Sequence, residues 1–115
     1  MSNWIVDPRD RVAWANVSGA TGTFINAAKA SGFATIARTG GQATGDYTLT
    51  LVDAVDPEDA MIIALPFGAN PPAGGVPSPF FTPIDNSSFR ARWQVGVTLT
   101  DVNFRIIVFR TIVNR

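Results

Sequence analysis

From Tyr47 to Leu51 apolar and polar side chains alternate without a break, with Thr48 and Thr50 between Tyr47, Leu49 and Leu51. A period of two predicts a strand with one buried face, and Gly45 and Asp46 supply the turn that starts it. SFRARWQV repeats the pattern, placing Phe89, Ala91, Trp93 and Val95 on one side and Arg90, Arg92 and Gln94 on the other. AMIIALPF is continuously apolar from Ala60 to Leu65, which predicts a strand covered on both faces and ended by Pro66. NFRIIVFRTIV puts Phe104, Ile106 and Val108 on one face and Arg105, Ile107 and Phe109 on the other. Neither face of that strand is cleanly polar, so each is expected to meet something.

Upstream, RVAWANV reads as a strand with Val12, Trp14 and Asn16 in phase, and GFATIART as another. Trp14 and Trp93 fall in phase with apolar neighbours and are expected in the core. TFINAAKASG contains good helix formers in Ala27, Ala28 and Ala30, but it is short and bounded by Gly22 and Gly32, so strand and loop are expected there. Strands recurring roughly every ten to fifteen residues, separated by Gly or Pro, predict an all-β fold, an antiparallel β-sandwich of roughly seven to eight strands. The longest irregular piece is expected from Gly68 to Pro83, which carries five of the eight prolines. Its Phe80 and Phe81 either pin the loop to its own domain or contact a partner.

Composition narrows the function. A chain of 115 residues suffices for one domain, expected over residues 11–115. Nine cations balance nine anions, so no basic excess points to nucleic acid or an anionic membrane. There is no cysteine and no histidine, which removes thiolate chemistry and the commonest general base and metal ligand. MSNWIVDPRD lacks the basic start and long apolar stretch of a signal peptide, and no apolar run approaches the roughly 20 residues of a spanning helix, so no membrane insertion is expected. No catalytic residue, metal or cofactor is expected.

Three groups of residues remain as candidates. Asp53, Asp56, Glu58 and Asp59 crowd the link between two strand-like segments. A metal site, paired carboxylates and a polar turn all use such acids, but DAVDPED has no glycine for the sharp bend of a calcium loop, and a turn is the expected use. Arg90 and Arg92 project on one side of their strand, as solvated edge charges or as a row of guanidinium groups for the carboxylates of an acidic glycan or a neighbouring subunit. Trp4, Ile5 and Val6 stand ahead of DPRD, in residues 1–10, as an edge strand or as an arm that docks by strand addition.

The pieces VAWANVSGATGTF, ARTGGQATGDYTLTL, DPEDAMIIALPFG and FRIIVFR resemble the landmarks of a small all-β domain of tailed-phage virion proteins, often found at the ends of tail fibres. The landmarks fall at Trp14 to Gly22, Gly45 to Thr48, Asp56 to Ala60 and Ile107 to Arg110. The resemblance implies a β-sandwich that assembles as a homotrimer in a phage virion, having been made in the host cytoplasm. It carries over no catalytic residue. The expected function is that of a virion structural protein acting in particle assembly and host-surface adhesion, with other virion proteins and a host glycan or receptor as partners. The alternatives are a capsid decoration protein of cement or head-fibre type and a carbohydrate-binding module.

Overall fold

The computed structural model describes residues 11–26, 29–41, 43–68 and 75–111. Nine strands occur among them: β1 (Arg11–Ser18), β2 (Thr23–Phe24), β3 (Phe33–Arg38), β4 (Asp46–Leu51), β5 (Ala60–Pro66), β6 (Ser78–Pro83), β7 (Ser88–Val95), β8 (Thr98–Leu99) and β9 (Phe104–Arg110). One sheet has the order β2-β1-β9-β5, and the other the order β3-β4-β7-β6, with β8 pairing to β7. Every pairing is antiparallel. The expected all-β sandwich is the fold. No helix among the described residues is long and apolar enough to cross a membrane.

The core follows from the two alternating patterns facing each other. Tyr47, Leu49, Ala91 and Trp93 from the second sheet and Val17, Phe104, Ile106 and Val108 from the first are all almost completely buried. Phe104 is the centre of an aromatic group, its ring 5.3 Å from Tyr47 and 5.2 Å from Trp93 between centroids. Such offset, tilted arrangements suit the quadrupoles of the rings. Bulky rings on β4 and β7 leave room only for small side chains elsewhere in the first sheet, and Ala13 and Ala15 fill that role.

Three expectations are corrected here. In β1 the buried residues are Ala13, Ala15 and Val17, and Trp14 stands half-buried on the opposite face. Both parities of RVAWANV are apolar, so the larger side chain was a false guide; the facing aromatics require the smaller set. The continuous apolar run of β5 is an edge strand, paired only to β9 among the described residues. Ala60, Ile62 and Ala64 pack on the core, while Ile63 and Leu65 are 44% and 62% exposed.

The third correction concerns the proline-rich loop, whose last six residues form β6. Ile84 N–H donates to Ser88 O at 2.9 Å, and with the register Phe80↔Arg92 this makes the even-numbered residues of β6 the bonded ones. Pro79 and Pro83 therefore sit where an N–H would have faced the open edge, the place in a sheet where proline costs nothing in the ladder.

Candidate functional site

Two of the sequence landmarks meet at one end of the sandwich and lock it. Tyr47 Oη donates to Gly19 O at 2.8 Å and to Asp101 Oδ1 at 3.2 Å. The same carboxylate takes the N–H of Gly45 at 2.8 Å and both its oxygens accept from Arg38 Nη2, at 3.0 and 2.8 Å. Arg38 Nη1 reaches Ala20 O, and Asn103 Oδ1 accepts the N–H of Gly19. Gly45 has a φ of 66°, and a Cβ there would lie 2.6 Å from Thr100 N, so the turn requires glycine. Burial raises the Tyr47 pKa, and with the neighbouring Asp101 carboxylate pushes it up to about 12. GDYT and the GATG turn are thus fold-fixing residues.

The outer face of the second sheet is polar over β4 and β7. Asp46, read from the sequence only as a turn residue, is the buried acid of this face. Its carboxylate accepts from Arg90 Nη2 and from Thr39 Oγ1, the latter at 2.7 Å, and Arg92 Nε stands 3.8 Å away. Burial works to raise the Asp46 pKa, but the hydrogen bonds from Arg90 and Thr39 and the charges of Arg90 and Arg92 outweigh it and hold the carboxyl below its ordinary value. Because β7 lies between β4 and β6, Arg90 and Arg92 are not edge charges. The carboxylate that they were expected to seek in a glycan or a neighbour is supplied within the chain. Arg92 Nε has no hydrogen-bond partner.

The two phenylalanines of the proline-rich stretch part company. Phe81 turns inward and packs edge-on against Phe89, with 6.1 Å between centroids. Phe80 turns outward, 64% exposed, directly across from Arg92. The structure therefore brings Phe80, Arg90 and Arg92 onto one face and removes Phe81 from it. Trp4, Ile5 and Val6 lie outside the described residues.

The outer face of the first sheet is built differently. Cross-strand register aligns Trp14, Ile107 and Ile63 in one row and Asn16, Arg105 and Leu65 in the next, with Phe109 opposite Met61. The expectation that the last strand is apolar on both faces is met, since Phe104, Ile106 and Val108 are buried inside and Ile107 and Phe109 stand half-buried outside. Arg105, also on this face, lies over the ring of Phe67, 4.7 Å from its centroid. Sequence reasoning took Ile63 and Leu65 for core, because an apolar run says nothing about which face is covered.

The acid cluster lies at the other end. Asp53, Asp56, Glu58 and Asp59 are exposed, and Asp56 caps the 3-10 turn Pro57–Asp59 by accepting the N–H of Glu58 at 3.0 Å. Among the described residues no group of three or more acids is placed to hold a metal ion. The turn also has an apolar task. Val55 is buried, its N–H bonded to Asn86 O at 2.8 Å, and Asp59 O accepts both the N–H and the hydroxyl of Thr111. Beside it, between β5 and β6, lies a cavity of about 280 Å³ lined by Val55, Pro57, Ile62, Phe81, Phe89 and Val108 among others.

Comparison with known proteins finds no matching family model, no similar curated protein and no similar solved structure.

Proposed function

We propose that the chain is a structural β domain of a bacteriophage virion that works by assembly, as one of three identical protomers, and contributes to adhesion at the host surface. The observation that carries the assembly reading is the outer face of the first sheet. Met61, Ile63, Leu65, Ile107 and Phe109 share it beside Arg105, with Ile63 and Leu65 exposed, and an apolar patch of this kind on a small domain marks a contact surface. The phage setting is supported by the sequence landmarks, two of which, Trp14 to Gly22 and Gly45 to Thr48, meet at the lock around Tyr47 and Asp101.

Adhesion falls to the second sheet, where exposed Phe80 beside Arg92, with Thr82 and Gln94 on neighbouring positions, offers an aromatic face and polar groups of the type that hold a sugar. The test of the setting is direct imaging of phage particles labelled at this chain. Label at the tail tip is expected. Regular label over the head would make it a capsid decoration protein, and particles without the chain would defeat the virion reading.

A further inference from the structure

The hydrogen-bonding parity of β5 is fixed by two bonds that bracket it. Phe67 N–H donates to Asn103 O at 3.0 Å, Thr111 N–H donates to Asp59 O at 2.6 Å, and the register between them runs unbroken from Ala60↔Arg110 to Pro66↔Phe104. Bonded pairs alternate in an antiparallel ladder, so Met61, Ile63 and Leu65 exchange bonds with β9. The N–H and C=O groups of Ile62 and Ala64 face the other way, and no strand among the described residues takes them. No charged side chain or mid-strand proline guards this edge, in contrast to β6.

The apolar cavity lies beside the same edge, with Ala60 and Ile62 on one wall and Phe81 of β6 on another. An open ladder next to an apolar hole is the shape left when a sheet lacks one strand. A residue paired opposite Ile62 would point into the cavity, and its neighbours would point to the outer face that bears Ile63 and Leu65. The slot therefore suits an extended segment that is apolar on both faces.

We propose that this slot receives residues Trp4–Val6 of a second copy of the chain by strand addition, with Trp4 and Val6 turned into the cavity and Ile5 onto the outer face. Three consecutive apolar residues match a strand covered on both sides, and Pro8, with no N–H, ends the pairing. A chain's own segment is poorly placed to fill its own slot. Arg11 pairs in β1, and β9 and β5 lie between it and the slot, three strand spacings or about 14 Å. The five residues from Val6 to Arg11 span at most about 17 Å fully extended, which leaves almost no slack for turning into the edge. A segment leaving one copy and a slot on the next make a head-to-tail contact, which closes as a ring of three when the rotation between copies is a third of a turn and otherwise grows as a filament. The inference rests on the trimeric assembly reading and says where its contact is made.

Amide hydrogen exchange, followed by NMR on the whole chain over a range of concentrations, tests it. Ile62 and Ala64 amides are expected to exchange at least about tenfold more slowly than in a Trp4→Ala chain, and to lose that protection on dilution. Ala64→Pro removes only an N–H that β9 does not use, so it is expected to keep the fold and to weaken association as Trp4→Ala does. Fast exchange at both amides in a chain that is still a trimer would overturn the slot and leave the trimer standing. Protection that persists in a monomer would show the chain's own segment in the edge and overturn the second copy as occupant. Protection in a trimer that survives Trp4→Ala would overturn Trp4–Val6 as the occupant. Fast exchange in a monomer would overturn both the slot and the trimer.

Discussion

On the second sheet the outward positions of β4 and β7 carry Asp46, Thr48, Arg90 and Arg92; on the first, those of β5 and β9 carry Met61, Ile63, Leu65, Ile107 and Phe109 around a single arginine of β9, Arg105. The polar face answers its own charges, since a buried carboxylate sits between two guanidinium groups and a threonine hydroxyl. Nothing in the described chain answers the apolar face in the same way. The edges repeat the contrast, with Pro79 and Pro83 at open positions of β6, whereas β5 carries a proline only at its last residue, Pro66, and keeps the open N–H groups of Ile62 and Ala64. A group that is satisfied within the fold belongs to stability, and one that is left over belongs to partners.

Substitutions on the two faces are expected to separate these roles, and the largest effect belongs to the polar face. Asp46→Ala leaves Arg90 and Arg92 without their carboxylate and removes a bond from Thr39, so urea unfolding should show a loss of roughly 2 to 3 kcal/mol. Because the folded-state pKa of Asp46 lies below its ordinary value of 3.8, the stabilisation is present above that value and is lost as pH falls through the lower, folded value. Asp46→Asn should flatten that acid limb in a pH series of melting curves.

Tyr47→Phe comes next. It deletes the donor to Gly19 O and Asp101 at the locked end, with an expected cost of about 1 to 2 kcal/mol in urea unfolding. Its pKa of about 12 stands above the ordinary value of 10.0, so its contribution is complete below pH 10.0 and disappears as pH rises through about 12. Alkaline unfolding followed through Tyr ionisation should show that window, and Tyr47→Phe should remove it.

Neutralising Asp53, Asp56 and Glu58 together should cost about 1 kcal/mol, chiefly the cap of Asp56, and added calcium should leave the melting temperature of the unmodified chain unchanged. A calcium-dependent rise reversed by chelator would make the cluster a metal site. Smallest of all, Ile63→Arg on the apolar face should change the unfolding free energy measured at protomer dilutions where association is absent by no more than about 0.5 kcal/mol.

What the sequence made legible, and what it hid, has the same physical root. DYTLTL and SFRARWQV declare their faces because threonine and arginine are poor core residues, and Tyr47, Leu49, Ala91 and Trp93 are buried as their phase requires. RVAWANV and AMIIALPF offer apolar residues at both parities, so the alternation rule has nothing to select, and Trp14, Ile63 and Leu65 were placed inside. Asp46 was hidden for another reason. Its role depends on β4 and β7 lying side by side with Asp46 opposite Arg92, and register between strands forty residues apart is not written in either. A signal was nonetheless present: the outward phase of one strand begins with an acid, and that of another carries two arginines. In SPFFTP the prolines hid a strand, because proline is a strand breaker everywhere except at an edge.

The central claim, that the apolar outer face with its open β5 edge is an assembly surface, is tested most directly by light scattering on the purified chain beside Ile63→Arg. Three protomers are expected for the chain at micromolar concentration and a folded single protomer for the variant. A chain that stays monomeric, or a variant that still assembles as three, would contradict it.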